Sequence, residues 1–192
     1  MAVEKQYGEK ARLRLLYWEK ILNLPPDTPE TDKLRKVNLF FNRAQFVSDI
    51  EHWGKADYWA TPVELLTTNG GDCEDFSLAK YFTLRNLGIP DGKLRVTYVK
   101  ALSLNQAHMV LAYYPTPDAD PLILDNLTNE IKPASQRPDL YPVYSFNGSG
   151  LWLSRQKSQG RLVGTADKLD QWRQFKARLK TQLLKRSNLL GL

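Results

Sequence analysis

The chain has 192 residues, 42% of them hydrophobic and 25% charged, an ordinary globular balance that indicates neither disorder nor a fibrous architecture. Its formal net charge of +6 sits largely in the two ends, and no apolar run approaches the roughly 20 residues of a membrane span, so composition argues against a membrane protein and gives a nucleic-acid surface little support. The single cysteine excludes an internal disulfide and leaves a free thiol to explain.

In chain order, Glu4 to Leu24 places Leu13, Leu16, Tyr17 and Ile21 at the period of an amphipathic helix. "LPPDTPETD" breaks it, and Thr31 or Asp32 caps a second helix through Leu34, Val37, Phe40 and Phe41 towards Val47 and Ile50. A short helix begins at Pro62, and Gly70 and Gly71 form a loop with backbone angles that other residues avoid. Helix resumes at Asp72 and is predicted to be largely buried from Cys73 to Leu87, until Gly88 and Pro90 stop it. "KLRVTYVKA" then alternates like a half-buried strand, followed by strands in "AHMVLAYYP" and "PLILD" with links short enough for antiparallel neighbours. Short strands are predicted at Val143–Phe146 and Leu151–Leu153, and a basic amphipathic helix from Ala166 to Leu190 with Leu169, Trp172, Phe175, Leu179 and Leu183 on one stripe. Helices first and a meander afterwards make this an α+β fold of one domain: N-terminal helices to residue 52, a core from 53 to 153, and a C-terminal helix from 165 to 192.

Three residues sit where chemistry can be done. Cys73 opens a buried helix, where free backbone N–H groups and the dipole favour an anion; His108 opens one strand and Asp125 ends the next. That is the order of a Cys-His-Asp triad, with a nucleophilic thiol, an imidazole base and a carboxylate that fixes its tautomer. Taken singly, a lone cysteine is more often a small core residue, a histidine is as often structural, and an acid at a strand end is more often a turn residue. The other histidine, His52, reads as a surface or helix-end residue.

The acids around the thiol raise a problem, since Asp72 and Glu74 should oppose its ionisation. Asp72, Glu74 and Asp75 form a dense oxygen-rich group of the kind that suits Ca²⁺, and a bound cation would invert the local electrostatics. The alternative is that Asp72 and Asp75 only cap the helix.

"GGDCEDFSLAKYFTLRNLGIPDGKLRVTYVKA", "NQAHMVLAYYP" and "PLILDNLTNEI" together resemble the bacterial transglutaminase-like cysteine proteinases of the LapG type, over roughly Trp53 to Leu153. The resemblance implies a papain/transglutaminase-like core and a periplasmic, Ca²⁺-dependent endopeptidase. Such an enzyme trims the N-terminal region of a large surface adhesin, releasing it and dispersing biofilm. It also implies an inhibitory partner, the periplasmic part of a LapD-type inner-membrane receptor that sequesters the protease when cyclic di-GMP is high. On this resemblance Cys73 is the nucleophile, His108 the base and Asp125 its orienting acid. Asp72 and Glu74 hold the metal, Asp75 is a further ligand, and Asp91 is a candidate for one more. The Cys73 N–H would serve as an oxyanion donor, with a second donor from the Asn105–Gln106 loop. The export signal is missing from "MAVEKQYGEK" and is expected to have been removed. A transglutaminase using the same triad, a non-catalytic binding module with a vestigial triad, and nucleic-acid binding through the last helix are the rival readings.

Overall fold

The computed structural model describes residues 2–155 and 158–184. The first amphipathic stretch is divided at Gly8, whose φ of 81° separates α1 (Ala2–Tyr7) from α2 (Glu9–Leu22). The buried face of α2 is Ala11, Leu15, Trp18 and Ile21. Leu13 and Tyr17, predicted to face inward, remain half exposed. The helix has apolar residues on two sides, and Trp18 decides between them by donating its indole N–H to Thr83 Oγ1 at 2.9 Å.

Helix α3 (Glu30–Phe41) starts one to two residues before the predicted caps. Pro29 precedes it with φ already at −53°, and its carbonyl accepts from Asp32 and Lys33. The helix stops at Phe41 instead of continuing to Ile50: the Asn42 backbone N–H still bonds the Asn38 carbonyl, while its side-chain amide donates to the carbonyls of Asp125 (2.9 Å) and Thr128 (3.1 Å). The chain then forms β1 (Gln45–Phe46) and α4 (Asp49–Trp53).

Helix α5 (Pro62–Thr68) has a reciprocal cap: Glu64 N–H donates to Thr61 Oγ1 (3.2 Å) while Thr61 N–H donates to Glu64 Oε2 (2.8 Å). It ends on Asn69 at φ 60°. The left-handed residue is thus Asn69, and Gly70–Gly71 (β2) is extended and pairs in parallel with β1. The glycine at 71 is demanded by space. A Cβ there would lie 2.9 Å from both Asp75 Cβ and Leu65 Cδ1.

Helix α6 (Cys73–Asn86) is buried on most of its circumference by Phe76, Leu78, Ala79, Tyr81 and Leu84, and Gly88 at φ 87° closes its end. It lies on a sheet of β3 (Leu94–Ala101), β4 (Gln106–Tyr113), β5 (Leu122–Leu124), β6 (Lys132–Pro133), β7 (Leu140–Phe146), β8 (Leu151–Arg155) and β9 (Ser158–Gly164). Among the described residues the strand order is β6-β5-β4-β3-β7-β8-β9, with every neighbouring pair antiparallel. The predicted meander is present. β3 is buried on both faces, however: the outer side carries a second core of Val99, Val110, Ala112 and Ile123, and Arg95 lies 4.1 Å from the Trp152 ring centre.

The last helix, α7 (Asp170–Leu184), follows a short 3₁₀ turn at Ala166–Lys168. Trp172, Phe175 and Leu179 are buried as predicted, with Trp172 packed against Phe82 and Phe146. The Leu183 side chain and the predicted extension to Leu190 lie outside the described residues. No described helix is long and apolar enough to cross a membrane.

Candidate active site

Cys73 is the first residue of α6 and is half buried. Its thiol donates to Glu74 Oε2 at 3.1 Å. α6 packs on β4, where Ser77 Oγ donates to the Met109 carbonyl at 2.9 Å and the Met109 N–H faces the Cys73 sulfur. Burial pushes the thiol pKa far up, Glu74 and Asp72 add to the rise, and the Met109 N–H opposes it.

The neighbour of Met109 is His108. It is buried, with Nε2 2.8 Å from Asp125 Oδ1. Asp125 directly follows β5, and the Leu111↔Leu124 pairing sends the chain leaving β5 towards the His108 end of β4. Its carboxylate is fully enclosed: Oδ1 also accepts the Leu127 N–H at 3.0 Å, and Oδ2 accepts Arg137 Nη2 at 2.8 Å. Burial acts to raise the Asp125 pKa, but His108, the Leu127 amide and Arg137 together outweigh it and hold the acid well below the usual carboxylate range.

A second cluster surrounds the first turn of α6. Ligand atoms of Asp72 and Asp75 lie within 4.8 Å of one another and of Asp49, and those of Glu74 lie equally close to Asp49 and Asp57. The fully buried Asp75 caps the helix, accepting the Asp72 N–H (3.2 Å) on Oδ2 and the Ala60 N–H (2.6 Å) on Oδ1. Asp49 Oδ2 accepts the Tyr58 N–H. Its other oxygen, and Asp72 Oδ1, are buried without a hydrogen-bond partner among the described residues. Burial pushes the Asp72 pKa up to about 10, with Glu74, Asp75 and Asp49 contributing. Burial likewise raises Asp49 to about 6, and burial with the Glu74 charge raises Asp75 well above its ordinary value. Acids this crowded resist being ionised together, and orphaned oxygens among all-oxygen donors fit a hard divalent cation.

One minor sequence expectation is overturned. Asp91 lies beyond the far end of α6, accepting from the Tyr81 hydroxyl and from Ser149 Oγ (2.8 Å), so it is no part of this cluster. The Asn105 N–H is used inside the β3–β4 turn, donating to the Leu102 carbonyl at 3.3 Å. His52 lies in the last turn of α4, half buried, with Nε2 2.8 Å from Thr68 Oγ1. Three site residues were missed. Asp49 follows Ser48 and reads in the sequence as a helix-start acid, while Asp57 and Arg137 lie in turn-rich segments with no motif to mark them. Only the packing brings them in.

The sequence profile of the bacterial transglutaminase-like cysteine proteinases matches residues 19–159. No match was found among curated proteins. Among solved structures, EGTA-treated LapG of Legionella pneumophila is 44% identical with a TM-score of 0.82, over 92% of this chain and 94% of that one. Calcium-bound Legionella pneumophila LapG is 44% identical with a TM-score of 0.80, over 93% and 96%. The fold is thus shared along nearly the whole length of both chains, and this chain belongs to the bacterial transglutaminase-like cysteine proteinases.

Proposed function

We propose that the protein is a periplasmic, calcium-dependent cysteine endopeptidase that cleaves the N-terminal region of a large cell-surface adhesin, releasing it and promoting biofilm dispersal. The observation that carries the reading is the His108–Asp125 hydrogen bond of 2.8 Å, with Met109, the chain neighbour of His108, presenting its N–H to the sulfur of the helix-opening Cys73. With Nε2 given to Asp125, the base nitrogen is Nδ1. In the mechanism we propose, Nδ1 takes the Cys73 proton as sulfur attacks the scissile carbonyl, and the Cys73 N–H at the start of α6 donates to the oxyanion. The tetrahedral intermediate collapses, the C–N bond breaks and His108 returns the proton to the departing amine. Water activated by His108 then attacks the thioester, releasing the acid and restoring the thiol.

Asp72, Glu74, Asp75 and Asp49 would hold the calcium ion, which supplies positive charge against the acids that press on the thiol. Glu74 links the two clusters, since it belongs to the carboxylate group and also accepts the Cys73 hydrogen bond. Support for calcium comes from the orphaned oxygens here and from the calcium-bound state of the Legionella pneumophila LapG structure. The adhesin, the periplasmic location and inhibition by a LapD-type cyclic di-GMP receptor rest on the resemblance to the LapG type.

The test is cleavage of an N-terminal adhesin fragment by the wild type and by Cys73→Ala, each with excess Ca²⁺ and with EGTA. Cleavage by the wild type alone, and only with Ca²⁺, is expected. Cleavage by Cys73→Ala removes the mechanism, and cleavage that survives EGTA removes the calcium requirement.

A further inference from the structure

The carboxylate behind His108 is itself gripped from behind. Arg137 is buried, and its Nη2 donates at 2.8 Å both to Asp125 Oδ2 and to Asp139 Oδ2, while Nε donates to Asp139 Oδ1 at 3.0 Å. Asp125 therefore has each oxygen fixed by a different element: Oδ1 by His108 and the Leu127 amide, Oδ2 by the guanidinium. The guanidinium is in turn aimed by Asp139, one of whose oxygens is reached by both Nη2 and Nε. A 3₁₀ turn at Ala134–Gln136, closed by the Arg137 N–H on the Ala134 carbonyl at 3.0 Å, sets the backbone from which Arg137 reaches in.

We infer that Arg137 is a positioning residue for the reaction, making the arrangement a chain Cys73, His108, Asp125, Arg137 anchored at its far end by Asp139. The inference rests on the cysteine-protease reading. A carboxylate held on one oxygen only can rotate about its Cβ–Cγ bond and lose the in-plane hydrogen bond that fixes the His108 tautomer; the two-point grip removes that freedom. The planar fork of arginine suits two carboxylates at once, which the point charge of lysine does not. The charged groups that bear on Asp125 are His108 from β4, Arg137 with Asp139 behind it, and the buried Lys80 from α6. Arg137 is the cation that hydrogen-bonds it.

The experiment compares wild type, Arg137→Lys, Arg137→Met and Asp139→Asn on two readouts. One is steady-state cleavage of the adhesin fragment with Ca²⁺. The other is the imidazole ¹H–¹⁵N spectrum, with His108 assigned by subtracting His52→Gln, which reports tautomer and Nε2–H hydrogen bonding without any turnover. For Arg137→Met, kcat should fall about 10–100-fold, the scale on which partners that orient a histidine act. KM should stay within about twofold. The Nε2–H signal should shift upfield or broaden. Asp139→Asn should move both readouts the same way by less, and Arg137→Lys should lie between. Wild-type kcat and an unmoved His108 signal in folded Arg137→Met overturn the inference. If Arg137→Met does not fold, Asp139→Asn decides: an unchanged kcat and an unchanged signal overturn it. If the wild type itself cuts nothing, the protease reading fails, while the spectra still show whether Arg137 holds the His108–Asp125 pair.

Discussion

Lys80 is the least expected residue of the core. It is 1% exposed, and its ammonium lies 6.0 Å from the Phe76 ring centre. Burial pushes its pKa down from 10.5 to about 7, with the Asp125 charge pulling the other way. At about 1.4 kcal/mol per unit of pKa, that fall corresponds to a penalty of about 5 kcal/mol for keeping the lysine charged in the folded state. The unfolded chain keeps the proton up to pH 10.5, whereas the folded chain gives it up near 7. Between those values the unfolded state binds more protons, so stability rises with pH across the window. Below the window both states are protonated and the penalty is fully present; above it the penalty is gone. Lys80→Met keeps the volume of the stem and removes the ammonium. We expect the variant to be more stable than wild type by about 3–5 kcal/mol at pH 6.5, with the gap closing towards pH 10 by about 1.4 kcal/mol per pH unit at its steepest. Urea unfolding from pH 6 to 10 at fixed Ca²⁺ measures this, provided the m-values of the two proteins agree at each pH. Groups that titrate alike in both proteins cancel in the difference. A gap that does not vary with pH, or a variant less stable at pH 6.5, refutes the reasoning.

Two further outcomes follow from the carboxylate cluster. Ca²⁺ at about 100 times its dissociation constant should stabilise the wild type by about 3 kcal/mol, read as a rise in melting temperature that EGTA reverses. Asp49→Asn should lose most of that rise, and an undiminished shift in the variant would exclude Asp49 as a ligand. Gly71→Ala should destabilise by about 1–3 kcal/mol through overpacking against Asp75 and Leu65, and should weaken Ca²⁺ binding measured by calorimetry. Wild-type stability in that variant would show that the turn relaxes freely.

The Cys73, His108 and Asp125 positions were legible because the sequence offers so few candidates for each role: one cysteine, two histidines, and an acid directly after an apolar strand. The meander was legible because its strands are apolar and its links short. Strand β9 was not, since "SRQKSQGRLVG" is polar and glycine-bearing and is ordered by pairing with β8 rather than by its own pattern. The inward face of α2 and the end of α3 were misplaced for a related reason: Trp18 and Asn42 choose their positions by hydrogen bonds to Thr83 and Asp125, 65 and 83 positions away. Asp49 shows the limit most plainly. Nothing in "SDIEHW" distinguishes a metal-site acid from a helix-start acid until α4 has been folded against the first turn of α6.

The loop that supplies Tyr58 and Ala60 N–H groups to Asp49 and Asp75 is gripped by the last helix. Gln171 donates to Asp57 Oδ2 at 2.7 Å, and Arg178 donates to the Trp59 carbonyl, across 114 and 119 positions of chain. Contacts so remote in sequence carry more closure cost than those within a helix or a hairpin. The acidic cluster beside the thiol therefore depends on the last helix being in place. A partly folded chain can already carry the cysteine-bearing helix and the β3–β4 hairpin, yet still lack the braced loop that completes the acidic cluster.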